Sequence, residues 1–552
     1  MGKLQERRFP VRKKTSKSAS HSSSSKGALS STSTTDVKTT EGKLPIPELA
    51  VYLTFVVITF STAFYNVYIS SQEHVEVFSS YMLERGWSIF GNSHKDVADF
   101  EWSYWHAMVT PVTILLTLGH IILGRVVEKT IPKWRKHFIF GYGMLSLLCI
   151  FGAMAVLVFI LYTLVAYLAS RTKSAVVVWA VILLEILSTN TEFFSSHLTF
   201  LFPNEELFNH VVFSTAMCQL RLLSYCLEYC KSTKRTTAAT QQGYTNENWD
   251  FFSVMSYNFY FPLFATGPVM TFDKFSQQIN KSPRPFSKEE LKRILKEFMR
   301  YIFWAVFADF VLHFLYFPSF HQVWYKFQFL PTWSLGGIGL CHLLFFQIKY
   351  VVTYGIPRAI ALFDRIEAPL PPACVLSIYT FQDMWRYFDR GLNSLLISTI
   401  YIPVGGSQRG FLRQLLASML CFSFVFFWHG VEVYLLYWAL INWLGVVVEI
   451  TVQKAVEQFG ILAFLKSKMS PSAVFRVLGL FLTLNYMLLA LSNLVFLGGQ
   501  RVAYTYYHRI IVSGWPWPLL TFFCTFYSVL QLTRALHQHF GKSYLCKKVY
   551  AV

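Results

Sequence analysis

The sequence predicts an all-α polytopic membrane protein with about ten transmembrane helices plus two re-entrant elements. Of its 552 residues, 54% are hydrophobic, 18% are aromatic and only 14% are charged, whereas soluble domains carry roughly 25% charged residues. Several apolar runs reach the ~20 residues that cross ~30 Å of hydrocarbon as a helix. A membrane β-barrel would instead need many alternating segments of ~10 residues, and the long runs do not alternate.

Both ends of the chain are predicted to be basic cytosolic tails. Residues 1–48 are rich in Ser, Thr and Lys and have no apolar periodicity, which is typical of disorder. The transmembrane domain is expected at residues 49–533, and residues 534–552 form the second tail. The formal net charge of +19 would also suit nucleic acid. The basic residues, however, concentrate in particular loops and in the tails, so we attribute them to membrane topology and expect no nucleic-acid partner.

The first predicted spans are separated by loops of alternating charge. Leu49–Ser70 precedes an acidic loop, Ser71–Glu101, which is therefore assigned to the lumen. The next span, His106–Leu123, returns to a basic loop, as the positive-inside rule requires. His137–Ala169 is too long for one span, yet basic residues flank it on both sides. It is therefore predicted to be a re-entrant hairpin with both ends in the cytosol.

A second re-entrant or broken element is predicted at Phe251–Phe272, which basic segments bracket and Pro262 and Gly267-Pro268 interrupt. Irregular backbone at membrane depth is tolerated only where protein buries it. The remaining crossings are predicted, by length and hydropathy, at Ala175–Leu187, Val211–Tyr229, Tyr301–Phe317, Trp333–Gly355, Leu412–Trp428, Tyr434–Ile450, Val477–Leu497 and Trp517–Leu532.

The chemistry is predicted in residues 381–430. Gln382, Arg386, Asp389 and Asn393 recur at helical spacing, so a single helix would present them on one face. Such a polar stripe beside membrane spans faces water, a ligand or partner groups. The alternative interpretation is an interfacial helix with a solvated face and an ion pair between Arg386 and Asp389.

His429 closes an apolar run of membrane length. It is the one ionisable residue in 416–430, and ionisable groups at such depth are costly and usually functional. Imidazole suits proton removal because its unperturbed pKa is ~6.5; the alternative is a satisfied interfacial histidine. We expect Asp389 and His429 to line one reaction chamber. Because intramembrane His and Asp also mark proton routes, a proton-coupled transporter is a rival hypothesis.

Several segments, in the same order, resemble one enzyme superfamily. The segments MWRYFDRGL, YIPVGGSQ and FFWHG resemble the membrane-bound O-acyltransferase superfamily. Within it the resemblance is to the protein-cysteine N-palmitoyltransferases, the Hedgehog acyltransferases. The resemblance covers about Leu49 to Leu532, and its further segments are DFEWSYW (Asp99–Trp105), FYFPLFATGP (Phe259–Pro268), WALINWLGV (Trp438–Val446) and LSNLVFLGG (Leu491–Gly499).

The resemblance implies the membrane-bound O-acyltransferase (MBOAT) fold and transfer of palmitate from palmitoyl-CoA. The acceptor would be the amino-terminal cysteine amine of a Hedgehog-type secreted signalling protein, and the reaction would take place in the endoplasmic reticulum membrane, with the Golgi as the alternative. The rival within the superfamily is a glycerol-uptake-related O-acyltransferase acting on lipid or glycan hydroxyls. Partners are then palmitoyl-CoA, the acceptor protein and membrane lipids, and the oligomeric state stays open.

The same resemblance assigns roles to residues. It implies that Asp389 and His429 are catalytic and lie in a tunnel through the membrane. Trp385 and Arg386 match an acyl-CoA gate, and Asn493 matches a further polar residue that lines the tunnel. A cationic Arg386 at the cytosolic mouth would suit the CoA phosphates.

The nine cysteines include no CxxC pair, so a disulfide framework or zinc site is not expected. From the residues alone Cys374 is a loop thiol. The resemblance implies that it is a thiolate ligand of haem b, a known axial ligand type. Two polar pairs, Arg221 with Glu228 and Asp309 with His313, are interpreted as structural contacts within the helix bundle.

Overall fold

Long helices dominate the fold, because a helix satisfies its own backbone hydrogen bonds where no water is present. Most of the predicted amino-terminal tail and the end of the carboxy-terminal tail fall outside the described residues. The computed structural model describes residues 42–91, 93–191, 199–202, 204–238, 249–281 and 284–540.

The amino-terminal half contains both predicted re-entrant segments and a two-stranded antiparallel sheet, in which Glu84 pairs with Lys95. The sheet lies in the loop after the first helix and was not predicted. The elements are α1 (Ile46–Glu73), β1 (Leu83–Arg85), β2 (His94–Asp96), α2 (Phe100–Ala107), α3 (Pro111–Thr130), α4 (Arg135–Arg171), α5 (Ala175–Asn190), α6 (Glu205–Ala238), α7 (Phe251–Asn258), α8 (Phe272–Ile279) and α9 (Lys288–Leu312).

The carboxy-terminal half alternates short helices with long ones. Its last helix continues to Phe540, past the predicted start of the tail at residue 534. The elements are α10 (Phe317–Gln322), α11 (Trp324–Phe327), α12 (Thr332–Phe363), α13 (Phe381–Tyr387), α14 (Arg390–Leu396), α15 (Ile402–Val404), α16 (Phe411–His429), α17 (Val433–Gln458), α18 (Ile461–Lys468), α19 (Pro471–Tyr506) and α20 (Trp517–Phe540).

The polytopic all-α prediction is confirmed. Within the described ranges, eight helical segments are long and apolar enough to cross a membrane. The ten predicted crossings also counted α5, which is apolar but shorter, and the spans within α6 and α9. The eight segments are Ile46–Glu73, Pro111–Thr130, Pro132–Arg171, Thr332–Phe363, Phe411–His429, Val433–Gln458, Pro471–Val512 and Trp517–Phe540.

Helix α4 folds back on itself at Gly152, whose φ of 80° and ψ of 170° are not helical. The ring of His137 lies 5.0 Å from that of Phe252, and the ring of Tyr167 lies 5.1 Å from that of Phe251. A straight helix would separate residues 137 and 167 by about 45 Å at 1.5 Å per residue. Both ends of α4 therefore meet the same short helix, and the predicted re-entrant hairpin is confirmed.

The second predicted re-entrant element is broken, as expected. Helix α7 ends at Asn258, a turn follows, and the chain stays irregular until α8 begins. The buried guanidinium of Arg221 satisfies this backbone, because it donates to the carbonyls of Leu263 and Phe264 at 2.8 and 2.9 Å and to Asn258 Oδ1 at 3.1 Å. The predicted pairing of Arg221 with Glu228 is therefore wrong.

The acidic loop after α1 is tied to α9 by Asp309. Its carboxylate accepts a hydrogen bond from Trp102 Nε1 at 2.9 Å and lies 3.3 Å from His106 Nε2. The His313 ring instead contacts the backbone, with Nδ1 2.7 Å from the Asp309 carbonyl oxygen and Nε2 accepting from Trp87 N–H. The predicted side-chain pair of Asp309 with His313 is replaced by these contacts.

A buried polar cluster, called here the Asp364 cluster, joins α3, α4, α12 and the broken element. Asp364 Oδ2 lies 2.7 Å from His120 Nε2 and accepts from Tyr260 O–H at 2.6 Å. Arg135 donates to the Asp364 carbonyl. Glu128 lies beside it and accepts ion pairs from Arg125, Arg135 and Arg365. Since each buried charge here has an opposite partner, the cluster can stabilise the fold.

Candidate active site

Asp389 lies between two short helices. Its φ of −111° and ψ of 90° separate α13 from α14, and its Oδ1 caps α14 by accepting the Leu392 N–H at 2.8 Å. Oδ2 accepts the Tyr354 hydroxyl at 2.9 Å. The prediction that Gln382 to Asn393 form a single striped helix is therefore wrong, because the aspartate acts as an N-cap, for which its side chain is well suited.

Burial raises the pKa of Asp389 above its usual range. Hydrogen bonds from the Leu392 and Gly391 N–H groups and from the Tyr354 hydroxyl lower the pKa again, but by less. All of these donors are neutral, and among the described residues no Lys, Arg or His forms an ion pair with this carboxylate. Such an environment is common where a carboxyl group takes part in chemistry.

His429 is the last residue of α16, and Gly430 ends the helix with φ 111° and ψ 147°. Its ring is surrounded by aromatic side chains, with centroids 4.7 Å from Trp428, 5.3 Å from Phe496 and 5.7 Å from Trp438. Among the residues that the structure describes, no carboxylate forms an ion pair with His429. The imidazole is thus free to exchange a proton with a ligand.

One cavity of about 700 Å³ brings Asp389 and His429 together. Trp385 and Asn493, the other predicted tunnel residues, lie in its wall. The remaining wall is mainly aromatic and aliphatic. The residues that complete it are Phe346, Tyr350, Tyr354, Met384, Phe388, Leu392, Asn393, Val425, Trp428, Trp438, Asn442 and Phe496.

Two apolar cavities lie near this one. A neighbouring one of about 630 Å³ shares Phe346, Met384 and Asn493 with it. A third, of about 1090 Å³, shares Phe60 and Leu340 with the second and lies between α1, α12, α19 and α20. The three cavities lie next to one another and have mostly apolar walls, which suit a long hydrocarbon ligand.

Beside the site, α14 touches the broken element through a contact between two backbones. A Cβ on Gly391 would lie 2.1 Å from the Val269 carbonyl oxygen, so no side chain fits at this position. Gly391 is thus required here for close approach. This contact joins the helix that Asp389 caps to the broken element.

Arg386 does not line the cavity. Its side chain is 57% exposed and pairs with Asp383 at 3.6 Å, so the predicted pair with Asp389 is wrong. Arg386 is available to a ligand outside the cavity but does not reach the enclosed space. Trp385, its neighbour, donates from Nε1 to Asn442 Oδ1 at 3.3 Å and closes one wall.

A charged network that the sequence reasoning missed holds the tyrosines of the wall. Buried Lys349 lies 3.0 Å from Asp99 and 2.7 Å from Glu101. Glu101 also accepts the hydroxyl of Tyr350 at 3.1 Å. The network docks α2 onto α12 and fixes Tyr350 beside Tyr354. Asp99 and Glu101 belong to the DFEWSYW segment noted above, but nothing in that pattern indicated their lysine partner 248 or more positions away in the chain.

The described residues do not build a haem site at Cys374. Its side chain is exposed and lies outside the three cavities. Over the described part of the chain, no group of three His, Cys, Asp or Glu residues could hold a metal ion. The haem prediction is therefore not supported, and we derive no step from it.

The chain belongs to the membrane-bound O-acyltransferase family, whose model matches residues 131–492. It is an acyltransferase. Family membership agrees with the resemblance described above and makes the transporter hypothesis unnecessary. Asp389 and His429 both fall inside the matched region, and Asn493 lies directly after it.

Three curated relatives give the likeness more detail. The chain is 32% identical over 462 residues to the protein-cysteine N-palmitoyltransferase HHAT of Mus musculus, covering 83% of this chain and 92% of that protein. It is 27% identical to the mouse HHAT-like protein, over 81% and 86% of the two chains. It is 25% identical to the membrane-bound O-acyltransferase GUP1 of Candida tropicalis, over 67% of each chain.

Proposed function

We propose that the protein transfers palmitate from palmitoyl-CoA to the amine of an amino-terminal cysteine on a Hedgehog-type secreted protein. The observation that carries the proposal is the single cavity that Asp389 and His429 share, with an apolar cavity next to it. The similarity to HHAT favours this acceptor. Burial of the palmitoyl chain in the apolar space contributes about 0.8 kcal/mol per CH₂.

The two substrates come from opposite faces of the membrane. Acyl-CoA is cytosolic, and a secreted acceptor is lumenal, so the proposed membrane is that of the endoplasmic reticulum, with the Golgi as the alternative. By the charge of the flanking loops, Asp389 is expected toward the cytosol and His429 toward the lumen. Exposed Arg386 is then available to the CoA phosphates.

His429 acts as the general base. The α-amine of a peptide has a pKa of ~7.7–8, so part of it is neutral at pH 7. Its nitrogen attacks the thioester carbon, the C–S bond breaks, and CoA leaves as a thiolate. The proton released when the amide forms moves to His429 and then to the thiolate. Such a base contributes about 10²–10⁴-fold.

Asp389 positions groups rather than taking the proton. Both of its oxygens are engaged by neutral donors on α14 and α12. It therefore fixes the Tyr354 hydroxyl at the cavity wall and holds the start of α14 against it. A general base needs a lone pair that the substrate can reach. His429 lines the cavity and forms no ion pair with a carboxylate of the described residues, so it suits this role better than Asp389.

The acceptor is tested with purified protein in detergent, alkyne-labelled palmitoyl-CoA and three peptides that differ only at the amino terminus. One peptide has a free amino-terminal Cys, one has that amine acetylated, and one begins with Ser. Labelling of the free-Cys peptide that resists hydroxylamine is expected, since an amide survives and a thioester does not. Labelling of the Ser peptide as well would indicate direct attack by the amine.

The rival activity has its own outcome. The similarity to GUP1 supports an O-acyltransferase that uses lipid or glycan hydroxyls, so diacylglycerol and a glycolipid are included as acceptors. Label on these alone, with none on the free-Cys peptide, would reject the proposal. The acyl-transfer rate of His429→Ala is compared with that of His539→Ala. His539 is a suitable control because it is an exposed histidine at the end of α20, outside the cavity wall.

A further inference from the structure

One polar group in the cavity wall has no partner. Trp438 is 7% exposed, and its Nε1–H is buried without a hydrogen-bond acceptor. The indoles beside it are satisfied: Trp385 Nε1 donates to Asn442, and Trp428 Nε1 donates to the Ala216 carbonyl at 3.2 Å. Among the described residues that line this cavity, Trp438 alone has a buried side-chain nitrogen or oxygen without a partner.

An unsatisfied indole is unfavourable in the resting protein. The indole N–H can only donate, and a buried donor without an acceptor lowers stability. Native proteins pair nearly all such groups, and the exceptions are often found where a ligand supplies the missing atom. The missing atom here is an acceptor.

Trp438 lies where the reacting carbonyl group must come. Its ring centroid is 5.7 Å from that of His429 and 5.6 Å from that of Trp385. The amine that gives its proton to His429 bonds to the thioester carbon, so that carbon and its oxygen must lie beside the imidazole. The hydrogen-bond acceptor that the acyl donor brings into this space is its carbonyl oxygen.

We propose that Trp438 Nε1–H is an oxyanion donor, which hydrogen-bonds the carbonyl oxygen of the acyl thioester. When the amine attacks, the C=O π electrons move to the oxygen, and the Trp438 bond strengthens as negative charge develops there. The indole keeps its proton throughout. The C=O bond re-forms as the C–S bond breaks, and His429 handles the proton of the new amide. Trp438 is thus a further catalytic residue.

This inference rests on the proposed thioester chemistry, whichever acceptor is used. Removing one oxyanion-hole donor typically costs 10²–10³-fold in kcat. Trp438→Phe removes the N–H and keeps an aromatic ring. We therefore expect kcat to fall by about that factor, with the KM for palmitoyl-CoA changed much less, because the bond is strongest in the transition state.

Trp443→Phe is the matched control on the same helix. Trp443 Nε1 donates to Ser418 Oγ at 3.2 Å and lies outside the cavity wall. Removing an indole N–H with a structural role lowers thermal stability and leaves kcat unchanged. This is the result expected for Trp443→Phe. Trp438→Phe should instead lower kcat and leave thermal stability unchanged, since it removes a donor that has no protein partner.

A second measurement does not depend on the variant folding. A ketone analogue of palmitoyl-CoA, with CH₂ in place of sulfur and ¹³C at the carbonyl, binds without reacting. Its carbonyl stretch in the wild-type protein should move to lower frequency than in an apolar solvent. A stretch that stays at the apolar-solvent value overturns the inference, and so does a Trp438→Phe protein with wild-type kcat. Failure of the proposed function is distinct, because the wild-type protein would then place no palmitoyl group on the free-Cys peptide.

Discussion

The carboxylates Asp364 and Asp389 are the same residue type in opposite environments. Asp364 faces His120 at 2.7 Å and the Tyr260 hydroxyl, with Arg135 on its own carbonyl. Asp389 receives neutral donors only and borders open space. Burial by itself would raise the pKa of Asp364, but attraction to His120 and hydrogen bonds from His120 and Tyr260 lower it. For Asp389 burial prevails and the pKa rises.

His120 and His429 differ in the same way. His120, with no exposed surface, forms a closed His–Asp pair that resembles part of a catalytic dyad. His429 has only aromatic neighbours and opens onto the cavity. A close His–Asp contact is therefore poor evidence for catalysis in this protein. Asp389 and His429 differ from Asp364 and His120 because a ligand in the cavity can reach them.

The largest effect on kcat is expected when the histidines of this comparison are replaced. His429→Gln should lower kcat by about 10²–10⁴-fold, because it removes the proposed general base, and should leave the melting temperature nearly unchanged. His120→Gln should do the reverse, with a lower melting temperature and kcat retained. Acyl-transfer rates and tryptophan-fluorescence melting curves in detergent measure both. Equal loss of activity in the two variants would contradict the distinction.

The next effect concerns the stability of the Asp364 cluster. Asp364→Ala removes the anion and leaves His120, Tyr260 and Arg135 with fewer acceptors. Breaking one partner out of a buried charged pair typically costs about 3–5 kcal/mol. We expect a large fall in the free energy of unfolding, measured with a denaturant. Asp383→Ala is the control, because its ion-pair partner Arg386 is 57% exposed, and an equally large loss there would count against the argument.

The pH dependence of stability sharpens the comparison further. The lowered pKa of Asp364 means that its contribution is present above its unfolded pKa of ~3.9 and is lost as pH falls through the folded value. The raised pKa of Asp389 means that its contribution is present below ~3.9 and is lost as pH rises through the folded value. Melting temperatures of wild type, Asp364→Asn and Asp389→Asn from about pH 2 to about pH 8 measure this, because the change at Asp364 falls below its unfolded pKa.

The two differences should run in opposite directions. The advantage of the wild type over Asp364→Asn should shrink as the solution is made more acidic, whereas its advantage over Asp389→Asn should grow. Asn is also a good N-cap, so Asp389→Asn keeps the start of α14. Parallel pH curves for all three proteins would remove the proposed difference between the carboxylates.

The smallest effect is expected at Arg386. Its exposed pair with Asp383 is worth about 0.2–1 kcal/mol, so Arg386→Ala should barely change the melting temperature. If it contacts CoA phosphates, the KM for palmitoyl-CoA should rise by no more than about fivefold at low salt and by less at high salt, since exposed charges are screened. Lys454→Ala, a basic residue on α17 outside the cavity wall, is the comparison.

Much of the site could be predicted from the sequence because its residues lie in distinctive local patterns. His429 closes an apolar run, and Asp389 and Trp385 lie in a polar segment between spans. The structure brings these residues into one cavity with Asn493. The error at Asp389 came from reading helical spacing alone. Aspartate favours helix starts over helix interiors, and that preference was the available signal.

Other features depend on contacts between distant parts of the chain. His120 and Asp364 are 244 positions apart, so no local pattern could pair them. The partners of Lys349 lie at the end of the acidic loop, in the DFEWSYW segment, and neither pattern indicated a lysine partner. The Trp438 N–H has no protein acceptor because none of the side chains and carbonyls packed around it accepts its hydrogen bond. Such a property exists only once the chain has packed.

The backbone contact of Gly391 with Val269 limits how the chamber can change. Because two main chains meet there without an intervening side chain, α14 and the Asp389 carboxylate that caps it are held at a fixed distance from the broken element, and a larger residue at position 391 would displace them. Variants that accept shorter or longer fatty acids should therefore carry their substitutions in the aromatic sides. Redesign of chain-length preference has to begin at positions such as Phe346 and Met384.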